Sequence, residues 1–524
     1  MNRATISLLA ALAALVAVTG FATLRPDDGT GRETLEYESP RPVERAALTC
    51  PRPTAAESAT TWYTAYTPAD DAPYPEDGDG EETGDSAALL PAPEHTPGTE
   101  ADESGDAEEN AEENAEGLDN GEAGDAEPVV PLQEPGLPVA ARVRDADTPA
   151  LTGTAEQRLA PGWTVQQTTS VPSGPGRGLL GTSCQTPDTE FWFAGASTAE
   201  TRHDYVHITN PDGAATVVDI DLYGPEGRLE SDAGQGITVP AGSSVPIRLS
   251  TLNSEPQTNL AVHVTARTGR IGALVEAVDE RLGADWLPPA GAPSGRVVLP
   301  GIPADAESVR LVVFAPGEED LALDVGLAGP GGTITPAGYE TVSVHAGTLT
   351  AVDLEDLTQG EPGSLVLTPA SGSGTGTVAA ALRVTMGDGE EQEMAFIPAT
   401  APVERRASVS GNTASGTELS LVAPDEAAEV EVTYSAGAEG GEPVTETHTV
   451  EAGTTLVLAP ELPDSTEGQF AVTVRHTGGG SLYASRTLTA ESDGATTFTV
   501  QTLPDDRSTV AIPDTRQDLS ILTD

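Results

Sequence analysis

Four stretches of this chain hold residue types that could do chemistry. Gly176-Arg177-Gly178-Leu179-Leu180-Gly181 repeats the glycine spacing of a dinucleotide-binding loop, in which a helix N-terminus receives a pyrophosphate. Here Pro172, Gly174 and Pro175 precede it and Thr182-Ser183-Cys184 follow, so no helix opens and a turn-rich loop is expected. Asp77, Asp79 and Glu81 begin like a calcium loop, but Glu82 stands where the tight turn needs Gly, and Ala88 where a bidentate Glu belongs. What remains there is weak, non-specific association of divalent cations with a polyanion. His203 and His207 fall on one face if their segment is a strand, with His263 on a later strand. Lacking a ligand spacing such as His-Glu-x-x-His, they read as an exposed pair near a strand end. Trp62, Trp163, Trp192 and Trp286 are the only tryptophans. Packing around a disulfide is the favoured role for them, and an aromatic platform for a glycan the alternative.

Other chemistry has no anchor. No Gly-x-Ser-x-Gly elbow occurs, and 83 acidic residues give no way to single out the two carboxylates of a glycosidase. All 25 basic residues are Arg, so P-loop lysines, Schiff bases and Ser-x-x-Lys acylation sites are excluded. A net charge of −58 excludes docking on nucleic acid, which depends on clustered cations releasing counterions from phosphates. The expectation is therefore a non-enzymatic protein with no catalytic, cofactor-binding or metal-ligating residues.

The elements that would position any site come from a repeat. Val239-Pro-Ala-Gly242 returns as Val344-His-Ala-Gly347 and Val450-Glu-Ala-Gly453, 105 and then 106 residues apart. Around each copy run short apolar alternations with Gly/Pro turns between them, as in Val218, Ile220, Leu222 against Asp219, Asp221, Tyr223. With aromatics at 4%, the cores must be aliphatic. The fold class expected is all-β: tandem immunoglobulin-like β-sandwich modules over residues 191–290, 291–403 and 404–504, with a β-propeller as the rival.

Upstream, Ile6 to Leu24 is 19 residues without charge, close to the ~30 Å of a bilayer core. Residues 1–25 are expected to be a signal peptide or transmembrane anchor, and the length favours an uncleaved transmembrane helix. A segment at 26–66 and a β segment at 137–190 flank a long surface insertion, and the two are expected to pack together or onto the first module, the first of them with that module. Between them, residues 67–136 read as a disordered acidic tract: 22 Asp or Glu and no Arg lie from Asp70 to Glu127. Removing those 22 from −58 still leaves −36 elsewhere. Cys50 and Cys184 are the only cysteines and bracket the tract, so in an exported chain they are expected to form a disulfide. Residues 505–524 read as a tail.

The early Cys, the run Phe191-Trp192-Phe193-Ala194-Gly195 soon after Cys184, the Asn210-Pro211 and Gly224-Pro225-Glu226-Gly227 turns and the Val-x-Ala-Gly turns together resemble a family of exported actinobacterial proteins. That family is classed only as a domain of unknown function. The resemblance covers about residues 40–500. It implies an extracytoplasmic β-module protein and transfers no activity. The function expected is a cell-envelope scaffold, membrane-anchored or secreted, whose partners are an envelope protein or glycan. The alternative is a cell-wall or polysaccharide-active enzyme or its accessory subunit.

Overall fold

The computed structural model describes residues 41–69, 85–95, 127–492 and 495–511. The apolar run at 1–25 and the Asp77–Glu82 stretch lie outside the described residues, as does the tail beyond residue 511. Among the described residues the chain is all-β, with four short 3-10 turns, and no helix is long and apolar enough to cross a membrane. Residues 42–508 make one compact body. Residues 1–41 and 509–524 are a separate one, of which only Arg41 and residues 509–511 are described.

Among the described residues the body contains four units of eight principal strands, not three. They span Arg45–Ser183, Glu190–Leu287, Val297–Pro398 and Arg406–Thr502. In every unit the first, sixth, third and fourth strands make one antiparallel sheet, and the fifth, second, seventh and eighth make the other. The second and third units add one short strand, Ile237–Val239 and Thr341–Val344. Alternation decides which face is dry: Val218, Ile220 and Leu222 are buried while Asp219, Asp221 and Tyr223 on the opposite face are half-exposed. Both sheets of a unit enclose one aliphatic core.

The first unit corrects the reading of the N-terminal third. Segments expected to be an N-terminal segment packing with the next module (26–66), a disordered acidic tract (67–136) and an N-terminal β segment (137–190) together supply its eight strands. Ser86–Ala92 and Val129–Leu132 are strands inside the expected tract, paired with each other. They escape notice because the acidic sequence is inserted between strands: the third and fourth strands are joined by Pro225-Glu226 in the second unit, but by residues 93–128 in the first. One turn proves the kinship. The amides of Gly136, Gly242, Gly347 and Gly453 donate to the carbonyls of Thr67, Asp212, Ala315 and Ala423, each at or just after the end of its unit's second strand. All four glycines have positive φ, between 60° and 86°, which a side chain resists.

The units close into a ring. A bulge glycine in the opening strand of one unit sits on the second and last strands, or the second and seventh, of the next. Gly195 meets Val312 and Phe396, Gly301 meets Ser420 and Ser485, and Gly411 of the fourth unit meets Thr64 and Gln166 of the first. The first unit meets the second through Val171 and Leu180 against Leu274, Ala284 and Trp286. Such head-to-tail contacts form a closed ring when the rotation between units adds up to a full turn.

Candidate functional site

The last strands of the four units, Gly178–Ser183, Gly283–Leu287, Glu393–Pro398 and Ala495–Thr502, converge at the middle of the ring. Two carboxylates lie there. Asp285 of the second unit is wholly buried, and its Oδ1 accepts from the amide of Gly181 in the first unit (3.0 Å) and from that of Trp286 (2.8 Å). Its Oδ2 accepts from the Thr499 hydroxyl of the fourth unit (3.1 Å). One side chain thus ties three units together.

Glu393 of the third unit is 5% exposed and sits beside the first unit, with Oε2 3.3 Å from where a Cβ on Gly178 would stand. Arg177, which precedes Gly178, donates from Nη2 to the carbonyls of Arg281 in the second unit (2.6 Å) and Gln392 in the third (2.8 Å). Burial pushes the Glu393 carboxyl up to about 7, against the pull of Arg177 and the amides of Phe498 and Leu179. Burial also raises Asp285 well above the carboxylate range, and the charge of Glu393 raises it further against its three hydrogen-bond donors. The two carboxylates thus form a buried joint between units, in which burial favours the protonated form of each.

The stretch Gly176 to Gly181 belongs to this joint. It was expected to be a loop, but Gly178–Ser183 is a strand paired with Thr164–Val171. Its glycines serve close approach between strands and not to a phosphate. A Cβ at Gly181 would lie 2.5 Å from Thr499 Cγ2, so only glycine lets this amide reach Asp285.

The histidines do not converge. His203 precedes the strand Tyr205–Thr209 and pairs with Glu280 (3.3 Å). His207 is buried, not exposed, pairs with Glu276 (3.1 Å) and lies edge-on to Trp286. His263 is in the other sheet, stacked 3.7 Å from Trp192.

The tryptophans divide likewise. Trp163 packs in the core that holds the Cys50–Cys184 disulfide, as expected, but Trp286 lies between the first and second units. Trp192 has His263 on one side and Phe314 5.4 Å away, with Nε1–H donating to Glu190. Trp62 lies under the Arg142 guanidinium, 5.1 Å from its ring centre. Trp163, Trp192 and Trp286 are buried and offer no open face to a sugar, while Trp62 is half-buried. The disulfide joins the end of the first unit's opening strand to the residue after its last one, so it fastens that unit to itself.

A groove of about 240 Å³ lies between the third and fourth units, lined by Arg296, Asp324, Thr333, Thr335, Thr368 and Pro424 among others. Arg296 is there held by Asp425 of the fourth unit. The groove offers hydroxyls and an ion-paired arginine, without the paired carboxylates found at the centre.

Sequence reasoning passed over Asp285 and Glu393. A signal existed: each is the one acid in an otherwise apolar strand, Gly-Ala-Asp-Trp-Leu and Glu-Met-Ala-Phe-Ile-Pro. Residues 139–461 match a family of unknown function (DUF5719). The match starts at the fifth strand of the first unit, Val139–Val143, and ends just past the fifth strand of the fourth, Thr454–Leu458. No curated protein matches the chain.

Proposed function

Because the chain belongs to this family of unknown function, no activity comes with its membership, and we propose from its own construction that it is a non-enzymatic scaffold of the cell envelope. In this reading the chain is exported, held at the outer face of the cytoplasmic membrane by its N-terminal segment, and presents a rigid body to an envelope protein or glycan. Each unit is immunoglobulin-like in the broad sense: two antiparallel sheets over one aliphatic core, with a strand order of its own.

The observation that carries the proposal is the use made of the central carboxylates. Asp285 and Glu393 are the paired acids best suited to acid/base work, yet they are buried and engaged in joining units. A polysaccharide cannot reach them without opening the ring. The disulfide supports a location outside the reducing cytoplasm.

Fractionation of cells making the full chain, followed by thiol labelling and affinity capture from intact envelopes, tests this. The expected result is recovery with the envelope, thiols that react only after reduction, and a co-purifying envelope component. Cytosolic recovery with both thiols free would overturn it. So would hydrolysis of wall polysaccharide that is lost on substituting a carboxylate, which is the outcome the enzyme reading requires.

A further inference from the structure

The fourth strands of the units differ in a way that marks one edge of the molecule. In the second and third units this edge strand is three residues long, Gly227–Leu229 and Gly332–Ile334, and in the first it is four and contains Pro131. Short strands and proline are how sheets blunt their open edges. The fourth unit has no such protection. Its edge strand, Val444–Val450, is seven residues long and pairs without a bulge over its whole length with Ala428–Tyr434. Among the described residues, no backbone bond reaches it from outside that hairpin.

The sequence of this strand reads Val444-Thr445-Glu446-Thr447-His448-Thr449-Val450. About Thr447 it is a palindrome, apart from one exchange: Glu on one side stands where His stands on the other. Thr445, Thr447 and Thr449 are exposed on one face, while Glu446 and His448 share the other, half-buried. Within the chain these two already lie 3.1 Å apart.

We propose that this edge is the interface between two copies of the chain, paired antiparallel about a two-fold axis through Thr447. In that register Val444 faces Val450 of the other copy, Thr445 faces Thr449, and each Glu446 faces a His448. Every facing pair is one that favours antiparallel strands: apolar with apolar, Thr with Thr, acid with base. A shift of two residues would set Glu446 against Glu446 or His448 against His448, so the charges select the register. For a chain of net charge −58 this matters, since most surfaces of two copies repel each other. The contact is isologous and closes at two, which also removes the open edge from further pairing.

Sedimentation equilibrium on the full chain tests the proposal, with far-UV circular dichroism confirming that each variant folds. The wild-type chain is expected to dimerise over the concentration series. Thr447→Lys, an exposed change that sets two ammonium groups on the axis, is expected to leave monomer. His448→Glu places acid against acid and should weaken association by about tenfold or more. The exchange Glu446→His with His448→Glu restores the facing pairs, together with the contact within each chain, and should recover it.

Register is read separately by cross-linking. Both native cysteines are in the disulfide, so an introduced Cys is the only free thiol. Thr447→Cys should give a covalent dimer on mild oxidation. Thr445→Cys should not, because its own counterpart lies two positions beyond the axis in each copy. A wild-type chain that stays monomeric, a dimer that Thr447→Lys leaves intact, or equal cross-linking at 445 and 447 would overturn the proposal.

Discussion

Two seams of the ring use the same backbone geometry and opposite chemistry. Where the second unit meets the third, the core runs across: Phe314, Met394 and Phe396 of the third unit belong to the apolar cluster of the second, and Phe314 lies against Trp192. Where the fourth meets the first, the two cores stay apart and the contact is polar. There Thr64 Oγ1 donates to Gln469 (2.7 Å), Gln501 Nε2 to Gln166 (3.2 Å) and Arg406 Nη2 to the Pro161 carbonyl (3.0 Å). Core positions follow suit. Val275 and Leu382 stand opposite the second strands of the second and third units, where the first and fourth have Gln167 and Arg486. Arg486 is wholly buried, its bonds go to uncharged acceptors, and burial lowers its guanidinium to about 9. The second and third units are thus joined by a shared apolar core, while the ends of the chain are joined by hydrogen bonds that form only when alignment is right.

The largest effect follows from the apolar seam. If the second unit's core is completed by the third, then residues 185–290 alone should not fold, although sequence spacing suggests a self-sufficient module. Circular dichroism and amide dispersion of that fragment check this. A folded fragment would show that the shared cluster is incidental. A smaller wound to the same seam is Phe396→Ala, which removes a ring with no exposure and should cost about 3–5 kcal/mol in a urea titration of the full chain. At the centre, Gly181→Val drives a side chain into Thr499 and should cost about 3 kcal/mol. Adding Thr499→Ala should return part of that loss, since the two changes share one space.

How much of this was legible depends on what each signal measures. Alternation and the Val-x-Ala-Gly turn report a unit's own burial and its own backbone, so three units could be read from residues 239–453. The first unit kept its glycine, Gly136, 106 residues before Gly242. It lost the Ala beside it and took in acidic sequence between its strands, and this hid a frame that was still intact. The centre was not legible, because Asp285 and Glu393 acquire their meaning from Gly181, Thr499 and Arg177, each more than 100 residues away. Local pattern carries no information about which units meet.

Glu393 gives the comparison a pH axis. Its folded-state carboxyl is raised to about 7 from an ordinary 4.5. Below the ordinary value both folded and unfolded chains hold the proton, and the buried acid is neutral. As pH rises through this window the unfolded chain ionises first, so the joint loses stability, by about 3 kcal/mol in all once the folded carboxyl has ionised. Glu393→Gln stays neutral throughout. The difference between wild type and this variant in urea midpoint should therefore widen from pH 4.5 to above 7. A constant difference would mean that the acid is not held protonated in the ring.

The smallest effect tests the polar seam, at Thr64. This residue occupies the place in the first unit's second strand that Val312 occupies in the third, each against a bulge glycine of the preceding unit in the ring. Thr64→Val makes the closing seam copy the apolar one at that position while keeping the side chain's shape. If seams were held by shape and burial alone, the change would be neutral or slightly favourable. If the closing seam is held by hydrogen bonds, Gln469 loses its donor, and the cost should be about 1 kcal/mol. The same argument makes Val312→Thr the reverse experiment, since it puts an unpartnered hydroxyl into a continuous apolar cluster. Urea midpoints for the two substitutions decide whether ring closure is specified by polar matching or only permitted by fit.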